Sequence, residues 1–300
     1  MSKSTLDFKP LHDGKARVAR EDKLYDIRVF QPHVFSLAIN QLYSRFTNRY
    51  AINIGAGDGI SCNDPVYPLY KEGYGGLAIE ANRNTALAQN LPSPAIHKVL
   101  GQFVTPMNIA EMLQEYHCPE CPDFFKLDID GYDGPVLLEL LKHGYRPKVM
   151  QIEINPEIPP PIEFAVLYDP RYMPWDNERR VGGFYSASLG YVCSLAARFG
   201  YRPAQVDFVT GFTHDVTLVH EKYWPVVPQI MGFDPASLSP REMFLRHPPG
   251  FSHFAEYGID SLAWRYREDS HALAGDIWFD CARAAQVKHG HPIPFHLTIT

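Results

Sequence analysis

The sequence predicts an α/β protein: a doubly wound, mostly parallel sheet with helices on both faces, closed by an antiparallel hairpin. Two observations carry this. Between Tyr50 and His220, short apolar runs alternate with segments of helical period. The first of those runs ends in a glycine-rich turn, Gly55-Ala-Gly57-Asp-Gly59. Composition agrees: 45% hydrophobic and 21% charged residues are ordinary globular values and exclude a wholly disordered chain or a fibrous repeat.

Five apolar runs are expected as parallel strands: Tyr50 to Ile54, Gly76 to Glu80, Ala95 to Leu100, Phe124 to Asp128 and Val149 to Ile154. The helices between them carry their own punctuation. Thr105-Pro106 reads as an N-cap followed by proline at the first helical position. Ile109, Met112, Leu113 and Tyr116 then fall on one helical face. Asp133 is expected to cap a helix with Leu137, Leu140 and Leu141 inward and Gly144 as its left-handed stop. Ser188 is expected to cap another, ended by Gly200. Two β-rich runs follow, Ala204 to Val209 and Val216 to His220, separated by a link short enough for a hairpin. The total is seven strands, with the last antiparallel to the rest.

Three segments are predicted. Residues 1–49 form an N-terminal extension or helical cap, 50–220 the sheet domain, and 221–300 a mostly helical C-terminal extension, clearest from Asp276 to Lys288. Within the sheet domain, Pro156 to Gly183 holds Pro159-Pro-Pro161, Pro170 and Pro174 with Tyr168, Tyr172 and Trp175. So long an irregular stretch is expected to act as a lid.

Lys and Arg number 28 against 34 Asp and Glu, a net charge of −6, and no basic stripe is present. Nucleic acid is therefore not an expected partner. There is no long apolar run and no apolar segment near Met1, so neither a membrane span nor a secretory signal is expected. Five scattered cysteines fit free thiols in a reducing, cytoplasmic setting. Cys118-Pro-Glu-Cys121 has zinc-like spacing but lacks a second pair, and His289-Gly-His291 reads as a surface loop.

Two local features bear on chemistry. The glycine turn follows a strand as G-x-G-x-G, not the G-x-G-x-x-G of a dinucleotide site, because residue 60 is isoleucine. Its glycines permit positive φ and close approach of a ligand to the backbone. Glu80 ends the second strand, where an acid can accept both ribose hydroxyls of an adenosyl cofactor.

With these residues in place, the chain resembles a class I, Rossmann-like S-adenosylmethionine-dependent methyltransferase, and within that class the FkbM-like group. The glycine turn resembles the first family motif and Leu77-Ala-Ile-Glu80 the second. Lys126-Leu-Asp-Ile-Asp-Gly-Tyr-Asp133 resembles the FkbM-like aspartate motif, Gln151-Ile-Glu-Ile-Asn155 the next strand end, and Phe184-Tyr-Ser-Ala-Ser-Leu189 a later segment. The resemblance covers residues 50 to 220. It implies S-adenosylmethionine as cofactor, held by Asn53, Gly55, Ala56, Gly57, Asp58, Glu80, Ala81, Asn82, Gln102, Phe103 and Asp128. In that arrangement Gly55, Gly57 and Asp58 approach the methionine part, Glu80 the ribose, and Asn82 with Gln102-Phe103 the adenine.

Asp128 and Asp130 end one strand, while Glu153 and Asn155 end its neighbour in the family sheet. Residues two apart share a face, so the four converge on the acceptor side. Asp128, Glu153, Asn155 and His214 are the catalytic candidates. Asp130, Tyr132, Tyr185 and Ser186 are candidates for binding the acceptor. Two chemistries remain open for the acids: a general base, or a divalent cation such as Mg²⁺ on Asp128, Asp130 and Glu153. The expected activity is methylation of a small molecule, most simply at a hydroxyl. The alternatives are a cofactor-binding regulatory protein without turnover and a different reaction on the same fold. A homo-oligomer is compatible with the sequence.

Overall fold

A computed structural model describes residues 12–17, 24–61, 64–156, 158–174, 184–207, 214–245 and 282–299. A seven-stranded sheet organises them. Its strands are β3 (Tyr50–Ile54), β4 (Gly75–Glu80), β5 (Ile96–Leu100), β6 (Phe124–Leu127), β7 (Val149–Glu153), β9 (Tyr201–Asp207) and β10 (Asp215–His220). The spatial order is β5-β4-β3-β6-β7-β10-β9. The pairs among β3 to β7 are parallel, and β10 runs antiparallel to both β7 and β9. The antiparallel strand is thus the last of these seven along the chain but inside the sheet, and β9 forms the edge. The order reverses between the neighbours β3 and β6, whose following crossovers leave in opposite directions. That reversal opens a crevice at the carboxyl ends of the strands.

Each face of the sheet packs on its own layer. One face presents Ile52, Leu127, Ile152 and Leu218 to α4 (Ile109–Glu115), α5 (Asp133–Lys142) and α6 (Leu189–Ala197). The other presents Ala51, Phe124, Val149 and Val219 to α1 (His33–Leu42), α2 (Tyr67–Lys71) and the segment Tyr223–Met231, which includes α7 (Val227–Met231). Burial on both faces explains why the central strands read as continuous apolar runs. A short α3 (Leu87–Asn90) leads into β5, and α8 (Pro240–Leu245) packs near α6 and β9.

Several boundaries differ from the sequence expectations for local reasons. The helix expected from Thr105-Pro106 begins later, at Ile109, because Asn108 Oδ1 accepts the Thr105 N–H at 2.7 Å and holds the preceding turn. Asp133 opens α5 but does not cap it forward; its carboxylate reaches back to the N–H groups of Ile129 and Gly131. Ser188 does cap α6, accepting from the Tyr191 N–H. Gly144 and Gly200 stop their helices at φ +87° and +81°.

The N-terminal region holds an antiparallel pair, β1 (His12–Arg17) with β2 (Leu24–Val29), ahead of α1. The stretch expected as irregular chain contains a strand, β8 (Ile162–Val166), whose partner is β11 (Phe295–Ile299) at the far end of the sequence. Phe164 and Phe184 lie under this pair with no exposed surface, and Phe295 packs on both. Residues 175–183 of that stretch lie outside the described residues, as do the 208–213 link of the hairpin, Cys62 and Cys281. The tail helix, α9, spans 282–289, and the part expected at 276–281 is likewise outside. No helix among the described residues is long and apolar enough to cross a membrane.

Candidate active site

The glycine turn is shaped by what presses on it. Gly55, Gly57 and Gly59 have φ of +74°, +56° and +81°. The Gly55 and Ala56 N–H groups both donate to the Ile79 carbonyl at 3.0 Å, which bends the chain across the end of β4. A Cβ on Gly55 would stand 1.6 Å from the Asp128 carbonyl oxygen, so no side chain is possible there. A Cβ on Gly57 would meet nothing within 4 Å. Gly57 therefore turns bare backbone towards open space, as a turn holding a ligand against the chain must.

That space is a cavity of about 440 Å³ at the carboxyl edge of β3, β4 and β6, within the ordinary range for a small-molecule site. From the turn it takes Gly55 and Gly57; from β4 and the residues after it, Ile79, Glu80, Ala81 and Asn82. Gln102, Phe103 and Val104 form the wall beyond β5, and Asp128, Ile129 and Asp130 the wall beyond β6. The Glu80 carboxylate is fixed from both sides: Oε2 accepts the Gly57 N–H at 2.7 Å and Oε1 the Asn82 N–H at 2.8 Å. Phe103 is 47% exposed and sets an apolar ring beside the polar side chains of Asn82 and Gln102 in the lining.

Three residues expected at the cofactor are not part of the cavity lining. Asn53 is fully buried and gives its Nδ2 to Asp64 at 2.8 Å. Ala56 is buried, and Asp58 turns its carboxylate onto the N–H groups of Ile60 and Ser61 and the Ser61 hydroxyl.

The acceptor-side acids follow from sheet register. Asp215 pairs with both Glu153 and Asp207, and Asp128 follows β6 beside them. Glu153 is buried and its Oε2 accepts the Asp130 N–H at 3.0 Å. Burial raises its pKa well above the carboxylate range, with Asp133 and Asp128 adding to the effect. Asp215 is raised likewise, by burial and then by Asp128, with the Lys126 charge opposing. Asp133 is raised to about 7, by burial first and Asp128 next. Asp128 itself is 36% exposed at its side chain and lies 3.0 Å from Lys126 Nζ. No group of three or more His, Cys, Asp or Glu side chains among the described residues is arranged to hold a metal ion, at Asp128, Asp130 and Glu153 or at Cys118 and Cys121.

The remaining candidates stand deeper. Asn155 is fully buried, with Nδ2 donating to the Tyr185 carbonyl. Tyr132 is fully buried and its hydroxyl shares its one proton between the carbonyls of Asp169 and Tyr172, at 2.9 and 2.8 Å. Tyr185 and Ser186 line the same interior; the Ser186 N–H donates to the Gly131 carbonyl, and Ser186 holds φ +51°. His214 meets β7 through its carbonyl, which accepts the Ile154 N–H. The sequence reading passed over Lys126, Asp64 and Asp207. Lys126 had a signal: one lysine in the apolar run Phe-Phe-Lys-Leu must find a buried partner.

The profile of the methyltransferase FkbM domain matches residues 11–179, more than half of the chain. The chain belongs to the FkbM methyltransferase family. By family it is an S-adenosylmethionine-dependent methyltransferase. A comparison with curated proteins found no match. Among solved structures it is similar to a candidate hemolysin from Streptococcus thermophilus, at 11% identity and TM-score 0.34, over 66% of this chain and 71% of that one. It is also similar to the mitomycin 7-O-methyltransferase MmcR, at 14% identity and TM-score 0.33, over 62% and 54%. The pyocyanin biosynthetic protein PhzM gives 15% and 0.33, over 62% and 55%. The chain thus spans about half the length of the last two. The cavity fits the cofactor of this family: open space over Gly57, a fixed carboxylate at Glu80 and the exposed ring of Phe103 line one cavity.

Proposed function

We propose that this methyltransferase acts on a hydroxyl of a small molecule and that Asp128 receives the hydroxyl proton. One observation supports the reading above others: Glu80 and Asp128 line the same cavity. S-adenosylmethionine supplies a methyl group on a positively charged sulfur. Glu80 offers charged acceptor oxygens to ribose hydroxyls, Phe103 an apolar face to the adenine, and Gly57 a wall without a side chain. Asp128 and Asp130 edge the cavity where an acceptor enters beside the methyl group. The Asp128 side chain is partly exposed at the edge of the cavity, so its carboxylate can take a proton from a bound hydroxyl. Most of the acceleration comes from holding the two reactants in line in a restricted space.

The test incubates the protein with S-adenosylmethionine and a panel of alcohols, phenols and sugars, with S-adenosylhomocysteine read by mass spectrometry. Product with at least one hydroxyl acceptor is expected. Asp128→Asn should lower kcat by about a hundredfold or more, the scale of a lost general base, while S-adenosylhomocysteine still binds. Normal turnover in that variant removes Asp128 from the chemistry. Loss of turnover on chelation, restored by Mg²⁺, would replace the carboxylate base with a cation.

A further inference from the structure

Five polar residues form one buried row across the sheet. Asn53, Lys126, Gln151, Thr217 and Gln205 are register partners on adjacent strands, so they share a face. All five are buried. Lys126 is the cation of this row. Its Nζ lies 3.0 Å from the Gly55 carbonyl oxygen, 3.0 Å from Asp128 Oδ2 and 3.9 Å from Asp64 Oδ2. Two of these contacts are at hydrogen-bond distance and the third is a longer ion pair, so one ammonium group meets three different segments.

We propose that Lys126 is a positioning residue, one buried ammonium group that fixes the glycine turn of the cofactor cavity and the acceptor-side carboxylate in a single geometry. The inference rests on the reading of Asp128 given above. Gly55 shows why the geometry needs fixing: its N–H is held by Ile79, its carbonyl by Lys126, and its Cα is pressed on the Asp128 carbonyl. Asp64 extends the tie, since it also accepts from Asn53 and from the N–H groups of Val66 and Tyr67 at the start of α2. Stability alone gives no reason for a charge here, because an apolar side chain of similar length is commonly as stable in a buried strand. Burial by itself would lower the Lys126 pKa. Asp128 and Asp64 overcome that and raise it, so the group stays charged at neutral pH.

The experiment compares Lys126→Met, Lys126→Arg and Thr217→Val with the unmodified protein. Thr217 belongs to the same buried row but touches neither the turn nor Asp128, so its variant reports what losing a buried polar group does alone. S-adenosylhomocysteine affinity is measured by calorimetry, kcat against pH with an accepted hydroxyl, and folding by thermal melting. Lys126→Met should weaken S-adenosylhomocysteine binding about tenfold or more, the scale of a lost charge-assisted hydrogen bond. It should also move the acid limb of kcat upward by about one pH unit or more, since a carboxylate that loses an adjacent cation protonates more readily. Lys126→Arg keeps the charge and should restore the acid limb, but its planar fork should leave kcat below normal. Thr217→Val should bind S-adenosylhomocysteine within about twofold of normal, as substitutions distant from a site do. A folded Lys126→Met protein with normal affinity and an unmoved acid limb overturns the proposal. If the methionine variant does not fold, the arginine variant decides, and unchanged affinity with unchanged kcat overturns it. If no hydroxyl is methylated by the unmodified protein, the reading of Asp128 falls, and the affinity comparison alone decides for Lys126.

Discussion

Glu80 does two jobs with one carboxylate. It holds the Gly57 and Asn82 N–H groups, and so shapes the turn, and it faces the cavity. Glu80→Ala should weaken S-adenosylhomocysteine binding by about 1.5–3 kcal/mol, the worth of hydrogen bonds to a charged group. Calorimetry checks this, and an unchanged affinity would put the ribose elsewhere. Gly57→Ala asks a different question of the same turn. A left-handed φ of +56° costs a non-glycine residue about 1–2 kcal/mol, and the added methyl would enter the cavity. Both melting temperature and S-adenosylhomocysteine affinity should fall; a loss of stability with full affinity would show that the ligand does not approach Gly57. Gly55, Gly57 and Glu80 could be read from the sequence because their chemistry is local, with glycines after a strand and an acid at the end of the next. Asp64 and Asp207 could not, because their partners come from distant segments that only the fold brings together, and Lys126 gave only the signal of a lone lysine in an apolar run, without naming Gly55 or Asp64 as its partners.

Among elements, β8 and β11 are the instructive pair. Ile162–Val166 follows Pro159-Pro-Pro161, and the prolines concealed a strand whose partner lies some hundred and thirty positions later. No local period can announce such a pairing. Tyr132, expected at the acceptor, has partners of the same distant kind. It stands in the aspartate motif beside the candidate acids, yet its hydroxyl is spent on two carbonyls of the segment after β8. Tyr132→Phe should therefore cost about 1–3 kcal/mol in denaturant unfolding, since two buried carbonyls lose their donor. A stability unchanged within error would contradict that role. Phe295 joins β11 to the buried rings of Phe164 and Phe184. Phe295→Ala should destabilise by about 2–4 kcal/mol, near the lower part of the range for aromatic truncation because the ring is only partly buried. Equal urea midpoints for the variant and the parent would show that β11 adds little to the sheet domain.

Across the molecule, the parallel strands and their crossovers were legible in the alternation of apolar runs with helical segments, and the antiparallel strand in the closing hairpin, while the strand order came only with the structure. What the alternation hides is that one face changes character along the strands, from Ala51, Phe124 and Val149 to the polar row and then to Glu153, Asp215 and Asp207 at the carboxyl edge. The stacked acids give the whole fold a pH dependence with a definite sign. Asp133 is raised to about 7, and Glu153 and Asp215 are raised well above their ordinary values. The folded chain therefore holds protons that the unfolded chain releases near pH 4. Their contribution is fully present below that value and is lost as pH rises through the raised folded values, about 7 for Asp133. His33 works the other way: burial lowers it to about 4, so its contribution is present above its unfolded value of 6.5 and is lost as pH falls towards 4. Between about pH 4 and 6.5 the two slopes oppose. Asp133→Asn mimics the protonated acid and should remove one of the falling slopes, by at most about 1.4 kcal/mol per pH unit, the value of one proton. The variant loses one of the two backbone bonds of Asp133, so it should be less stable than the parent at pH 5, and the gap should narrow towards pH 7. Urea unfolding at pH 5, 6 and 7 measures both curves. Parallel curves would mean that Asp133 is ionised in the folded protein throughout, with its charge absorbed by neighbours that burial and register do not provide.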